Sequence, residues 1–490
     1  MDPIGRALDL LHDEYLSKAK EELDKLVSVG SSVFDYQQPS RKRLIVPQVT
    51  EAEENLFRIK AVPSHQPRPL GDVITDAEHI FTARTQVNHP RFLAFIPAVP
   101  SPVSWLGGVI NDAYNTFCST WAASPGVNAV EVSLCGWLAL QIGLPSDAGG
   151  VFTSGGSMAN LTALVMARHQ KLGNDLRARA LGVAYISDQA HFCIKKGLHI
   201  MGLFPEQIRV LPSDIRGCMK ISELRKAVQD DVQKRKLPFL VVATCGTTNT
   251  GGIDQLGEIA DLAETFGMWL HVDGAYGASV SLCQPRRHLV RDLARADSVA
   301  WDAHKWLFQT YGCGIVLARN KAHLRTTFAT TADYIRDLDI QEERPNLLDY
   351  SMELTRPARH MKLWFTLQTL GLDVLSSMIN QGFETAELFE QHLRQMPSWE
   401  IMSPASLAIL TFRCHPQGWS DIKTDQLNES ISLELRKNNI ALIATTKIGD
   451  AVCLRACMIN NTITSQDIAE ICAALDRTAQ RCGASPETNK

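Results

Sequence analysis

From about residue 91 onward, short apolar runs bounded by Gly, Pro or Asp alternate with longer segments of helical periodicity, and this alternation restricts the fold more than any other feature. GGVFTSGG precedes SMANLTALVMARHQK, GVAYISDQAH precedes CIKKGLHIMG, and PFLVVATCGTT precedes IDQLGEIADLAETFG. MWLHVDGAYG, SVAWDAHKW and GCGIVLARN follow. Parallel strands need long crossovers, usually helices, so the alternation predicts an α/β fold with a mainly parallel sheet covered on both faces. Sheets of this kind carry their functional residues at strand ends and in the adjoining loops. After about residue 375, helical segments surround the apolar runs ASLAILTFRC, NIALIATTKIG and AVCLRACMI, which predicts a smaller α+β unit.

Composition narrows the function. Apolar residues at 45% and charged residues at 21% are globular values, and 490 residues suffice for a core without disulfide or metal. Lys plus Arg is 49 against 53 for Asp plus Glu, a net charge of −4, so there is no basic excess to neutralise a phosphate backbone and no nucleic-acid partner is expected. No apolar run reaches the roughly 18 residues of a membrane span, so no membrane association is expected. The opening MDPIGRALDLLHDEYLSKAKEELDKL interleaves acidic with apolar residues, unlike a signal peptide. Ile4, Leu8, Leu11, Tyr15, Leu23 and Leu26 give this segment an apolar stripe that needs a partner surface. YQQPSRKRLIVPQ, residues 36 to 48, reads as a linker with a solvated basic turn. Twelve scattered cysteines, with no CxxC pair and no Cys/His cluster at zinc spacing, predict reduced thiols, a cytoplasmic location and no metal.

Four motifs at the expected strand ends carry the chemistry. TSGGSMAN, with Gly155 and Gly156 opening a helix, is either an anion site or an ordinary turn. His191, just past a strand, suits ring stacking or acid–base work, or a structural role. CGTTNTGGID, with Thr248 and Asp254, suits a ligand-facing loop or a plain turn. Asp273 ends the run MWLHV, where a carboxylate needs a cationic partner or a bound group. Lys305, in SVAWDAHKW, stands at the end of the next run; desolvated there it would have a lowered pKa and act as an amine nucleophile, or it would form a salt bridge with Asp273. A phosphate cradle, a ring-stacking histidine, a carboxylate for a pyridinium nitrogen and a Schiff-base lysine, on successive strands, are together the parts that pyridoxal phosphate chemistry requires.

On HPRFLAF, WAASPG, TSGGSMANL, DQAHF, GTTNTGGID, HVDGAYG, DAHKW, RPARHMKLW and CLRACMINNTITSQDI, the chain from about residue 80 to 475 resembles the pyridoxal-phosphate-dependent amino-acid decarboxylases of group II, which include aromatic-L-amino-acid, glutamate and 2,4-diaminobutyrate decarboxylases. The resemblance implies a fold-type I architecture, like that of aspartate aminotransferase, in three parts: an N-terminal helical segment, residues 1–85, packing across a homodimer; a large cofactor domain, 86–375; and a small C-terminal domain, 376–490. It implies that Lys305 bonds the cofactor, Asp273 faces the pyridine nitrogen, His191 stacks on the ring, and Gly156 and Ser157 offer N–H groups to the phosphate. Thr248, Asp254 and His304 match further positions lining the cofactor. The activity implied is α-decarboxylation of an L-amino acid, aromatic before acidic or diamino.

Several positions depart from the family pattern. The tyrosine that protonates the carbanionic carbon in aromatic decarboxylases aligns near Leu347 or Leu348; Tyr350, and after it Tyr334, are the candidates left. Loss of that tyrosine redirects the reaction toward oxygen, so the alternative product is an aldehyde with ammonia and peroxide, or another carbanion reaction of specialised metabolism. Pro357 replaces the second arginine of a double-arginine pattern, leaving Arg356 and Arg359 for loop geometry or a substrate carboxylate. Phe95 and Trp121 match the substrate pocket, whereas Ser119 replaces a family phenylalanine.

Overall fold

The computed structural model describes residues 40–63, 65–96, 98–329 and 344–484; the apolar stripe of residues 4–26 lies outside them. Seven strands, β1 (Gly149–Thr153), β2 (Gly182–Ser187), β3 (Ile208–Leu211), β4 (Leu237–Thr244), β5 (Trp269–Asp273), β6 (Ser298–Asp302) and β7 (Gly314–Ala318), form one sheet in the order β1-β7-β6-β5-β4-β2-β3. β3, β2, β4, β5 and β6 pair in parallel, and β7 runs antiparallel between β6 and β1. The mainly parallel α/β sheet expected from the alternation is therefore present. β1, β5, β6 and β7 are buried throughout, which is why their sequences are continuous apolar runs rather than alternating ones.

The helix Gly156–Leu172 lies across β4 to β7. Ala159, Ala163 and Ala167 on its buried face let it approach the sheet closely, and Leu164, fully buried, contributes roughly 1.5 to 3 kcal/mol. Asn160 Oδ1 bonds His271 Nε2 at 2.8 Å and Ser298 Oγ bonds the other ring nitrogen at 2.9 Å, fixing the helix to β5 and β6. Burial holds His271 down at about 4, so it works as a neutral connector.

The C-terminal region adds a second sheet of β8 (Trp399–Ser406), β9 (Ile409–Cys414), β10 (Ala444–Ile448) and β11 (Ala451–Cys457), ordered β10-β11-β9-β8 and antiparallel throughout. ASLAILTFRC is not one strand but the corner of a hairpin, turning at Leu407 (φ 45°) and Ala408 (φ 59°). Left-handed conformations at Leu and Ala lack the Asn-Gly signal of such turns. Tyr276 supplies the support instead, its hydroxyl donating to Leu407 O at 2.6 Å, while Met458 N donates to Ala408 O at 2.8 Å.

Residues 41–46 are docked rather than a free linker. Ile45 is buried, its N–H donates to Asn439 Oδ1 at 2.7 Å, and Arg41 pairs with buried Asp467 at 2.6 Å. The helical run His360–Arg394 passes through residue 375 and is interrupted at Gly371 (φ 72°). All twelve cysteines are free, and no helix among the described residues is long and apolar enough to cross a membrane.

Candidate active site

Thr153, Thr244, Asp273 and Asp302 end β1, β4, β5 and β6, and the register brings them side by side: Thr244 pairs with Asp273, while Gly314 at the start of β7 pairs with both Thr153 and Asp302. These ends open into a cavity of about 520 Å³, within the ordinary range for a small-molecule site. Gly155, Gly156, Ser157, His191, Thr248, Asp273, His304 and Lys305 all line it, so residues spread over 150 positions of sequence converge there.

The turn at Gly155 and Gly156 exists because nothing larger fits. A Cβ on Gly156 would stand 2.5 Å from Asp302 Oδ2, one on Gly314 would stand 2.5 Å from Gly155 Cα, and Gly155 has φ 154°. The Gly156 and Ser157 N–H groups open the helix with no acceptor among the described residues, so the cavity floor carries free donors and the positive end of a 17-residue helix.

Asp273 is buried, and its Oδ1 accepts from Ala275 N at 3.1 Å; Oδ2 has no donor among the described residues. Lys305 does not pair with it. Its Nζ lies 3.2 Å from Oδ2 of Asp302, a carboxylate only 3% exposed. The lowered pKa expected for Lys305 is also corrected: burial pulls it down, but Asp302 and then Asp273 outweigh that and raise it, favouring the ammonium. Asp302 Oδ1 is buried without a hydrogen bond among the described residues and lies 3.7 Å from His304 Nδ1, which is itself 3.2 Å from Cys313 O.

His191 caps the helix Phe192–Ile200, its Nδ1 accepting from Cys193 N at 3.3 Å, which fixes the ring beside the cavity. Burial holds it below the ordinary histidine value, although Asp273 pulls the other way. Phe95 stands at the rim with φ 53° and 69% of its surface exposed. Arg455 Nε donates to Thr248 O at 2.6 Å and its Nη1 to Phe95 O at 2.7 Å, so one buried guanidinium joins two rim segments.

Other expected residues are elsewhere. Asp254 does not reach the cavity: Oδ1 accepts from Met219 N and Oδ2 from Thr244 N, both at 2.7 Å, so it organises the loop behind the wall. Arg356 is no substrate ligand in this cavity, because its side chain is wholly buried in an ion pair with Glu131. Trp121 lies outside the lining, its backbone N–H donating to Asn346 Oδ1 at 2.9 Å. Tyr350 is buried among the apolar residues beside the sheet and does not line this cavity; Tyr334 lies outside the described residues. Ile96, Phe192, Tyr276, Ile409 and Asp302 line the cavity without having been singled out; for Asp302 the signal was its place in DAHKW, at a strand end three residues before the lysine.

The residues present fit pyridoxal phosphate. The glycine turn offers free N–H donors for a phosphate, Asp273 Oδ2 is an open acceptor for a ring N–H, Thr244 Oγ1 is a buried polar atom without a hydrogen-bond partner among the described residues, and Lys305 supplies the amine.

Comparison with known proteins agrees. The pyridoxal-dependent decarboxylase conserved domain matches residues 54–415. An aromatic-L-amino-acid decarboxylase of Bacillus atrophaeus is 36% identical over 409 residues, 83% of this chain and 85% of that protein. An L-2,4-diaminobutyrate decarboxylase of Rhizobium meliloti (strain 1021) is 32% identical over 80% of this chain and 79% of that protein. The crystal structure of Catharanthus roseus tryptophan decarboxylase in complex with L-tryptophan matches with a TM-score of 0.87 at 26% identity, covering 95% of this chain and 99% of that one.

Proposed function

We propose, from the premise that this chain belongs to the pyridoxal-dependent decarboxylase family, that it removes the α-carboxylate of an aromatic L-amino acid as carbon dioxide and releases the amine. That it is a pyridoxal-phosphate-dependent carboxy-lyase follows from the family; the aromatic side chain and the amine product are the proposal. One observation carries the aromatic reading: Phe95, Ile96, Phe192, Tyr276 and Ile409 line the cavity, and Lys305 is the only Lys or Arg among the described residues that does. A side-chain carboxylate would be desolvated there without a cation, whereas an aromatic ring finds apolar surface. The name of the Bacillus relative and the ligand of the Catharanthus structure support the same choice over a diamino substrate.

Each residue has a distinct task. Pyridoxal phosphate, when bound, supplies an aldehyde that condenses with amines and a pyridinium ring that accepts the electron pair left at Cα. Gly156 and Ser157 N–H groups, with His304, would hold its phosphate, and His191 would lie against the ring. Asp273 would keep a proton on the ring nitrogen, because a buried carboxylate with one open oxygen favours an N–H donor at that point. Lys305 would supply the amine that bonds the cofactor. Thr248 belongs to the rim that Arg455 steadies.

Phe95 and Phe192, 69% and 75% exposed at the rim, need cover, which supports a homodimer closing over the mouth. Twelve free thiols suit a reducing, cytoplasmic setting. The test is aerobic incubation of cofactor-loaded protein with each L-amino acid, following carbon dioxide and peroxide and identifying products by mass spectrometry. Carbon dioxide and amine from tyrosine, tryptophan or phenylalanine are expected. Preferred turnover of 2,4-diaminobutyrate would overturn the aromatic reading, and peroxide with aldehyde would overturn the amine product.

A further inference from the structure

Among the described residues, Asp302 is the one carboxylate within ion-pair distance of Lys305. Oδ2 accepts from Nζ at 3.2 Å, Oδ1 is buried without a hydrogen bond among the described residues, and the side chain is 3% exposed. It is also immobilised. Its N–H donates to Ala275 O at 3.0 Å, and the carboxylate lies against the glycine turn, 2.5 Å from where a Gly156 Cβ would be. The other groups facing Lys305 are Asp273 at the end of β5, Cys193 and His191 at the start of the helix Phe192–Ile200, and His304 beside it. A strand-end carboxylate held this way is costly unless a cation returns to it.

Resting on the role of Lys305 as the cofactor-bonding amine, we propose that Asp302 is a positioning residue that captures the Lys305 side chain as an ammonium whenever it carries no bond to the cofactor. Loading then has two parts: the ammonium gives up a proton and leaves Asp302, and Nζ forms a carbon–nitrogen bond with the aldehyde carbon as water departs. In turnover the order reverses. The substrate amine takes over the bond to that carbon, Lys305 leaves with a proton, and Asp302 holds it away from the carbon until product release. The same carboxylate sits beside the N–H groups of the turn, where its charge opposes a phosphate. Asp302 therefore slows loading and assists turnover, two effects of opposite sign.

Asp302→Asn separates them. Wild-type and variant apoproteins are mixed with pyridoxal 5′-phosphate from pH 6 to 9, reduced with borohydride at intervals, and digested to quantify the adduct on Lys305. The variant should load with a midpoint about one pH unit lower, which is up to about tenfold faster near neutrality, while its turnover of the preferred amino acid falls about tenfold. A role confined to stability would lower both rates together, and that result, or an unchanged midpoint, overturns the proposal. Asp302→Ser, smaller than aspartate in every direction, gives the same comparison should the asparagine variant fold poorly. Absence of a reducible adduct on Lys305 in the wild type would overturn the cofactor role of Lys305 itself, and this proposal with it.

Discussion

Arg356 and Glu131, both wholly buried, together serve the open edge of the main sheet as a neighbouring strand would. β1 is the edge strand, and on the side away from β7 Phe152 N donates to Glu131 Oε1 at 2.8 Å while Phe152 O accepts from Arg356 Nη2 at 3.1 Å. His360 Nδ1 stands 3.2 Å from the second Glu131 oxygen, so the carboxylate lies between a guanidinium and an imidazole. One residue further, β1 ends at Thr153 and the glycine turn begins. The edge that would otherwise expose unpaired backbone is thus fixed beside the cavity floor.

Glu131→Gln should therefore lower unfolding stability by roughly 3 to 5 kcal/mol, because it leaves the Arg356 charge buried and uncompensated. Burial pushes the Glu131 carboxyl up, but Arg356 and His360 outweigh it and hold it at about 2, below its unfolded value of about 4.3. The pair's contribution is then complete above about pH 4.3 and lost as pH falls toward 2. Urea midpoints across that range measure both effects. A variant as stable as the wild type at pH 7 would show that the pair does not hold the edge.

The apolar runs were enough to place most strands of the large sheet, since strands buried on both faces leave little room for other residue types. The strand-end motifs were legible for the same reason. What lay hidden was set by contacts distant in sequence. Arg356 in RPARH gave no sign of being fully buried, because its partner Glu131 is 225 residues away. Asp302 rather than Asp273 meets Lys305 because Lys305 N donates to Asp302 O at 3.2 Å, a tight turn that folds the lysine back onto its own strand end. The hairpin corner at Leu407 and Ala408 carries no turn signature in the sequence because its support comes from Tyr276, not from turn residues.

Lys305→Ala should abolish the borohydride-trapped cofactor adduct and all turnover while leaving the far-ultraviolet circular dichroism unchanged. The lysine side chain is 25% exposed toward the cavity, so its loss opens no sealed core. Residual turnover beyond contamination would remove Lys305 from the chemistry.

Asp273→Asn should retain cofactor on Lys305 but lose at least about a hundredfold in kcat, the scale of removing one preorganised charge interaction at a reacting centre. Asparagine preserves the bond from Ala275 N through its carbonyl oxygen, but carries no charge to hold a proton on the ring nitrogen. Trapping and steady-state kinetics on the same preparation separate the two. Equal losses of cofactor and kcat would make Asp273 a binding residue only.

Arg455→Met tests whether the rim is held from the C-terminal sheet. Methionine keeps much of the aliphatic bulk within β11 but removes the donors to Thr248 O and Phe95 O, at 2.6 and 2.7 Å. Phe95 adopts a left-handed backbone at φ 53°, an unfavourable conformation for an aromatic residue, and its largely exposed ring leans on buried Phe92, so the bond to its carbonyl is a main restraint on its backbone. Charge-assisted bonds of this kind contribute about 1.5 to 3 kcal/mol each, and losing one at the rim corresponds to a tenfold or greater loss of substrate binding. KM for the aromatic substrate should rise about tenfold with kcat within about threefold, because the side chain touches the rim and not the groups at the reacting carbon. The discriminating comparison is a small L-amino acid, whose side chain does not reach Phe95 and whose KM should hardly move; a uniform rise for both substrates would place the effect in the cavity as a whole, and a fall in kcat alone would mean that Arg455 acts on the chemistry.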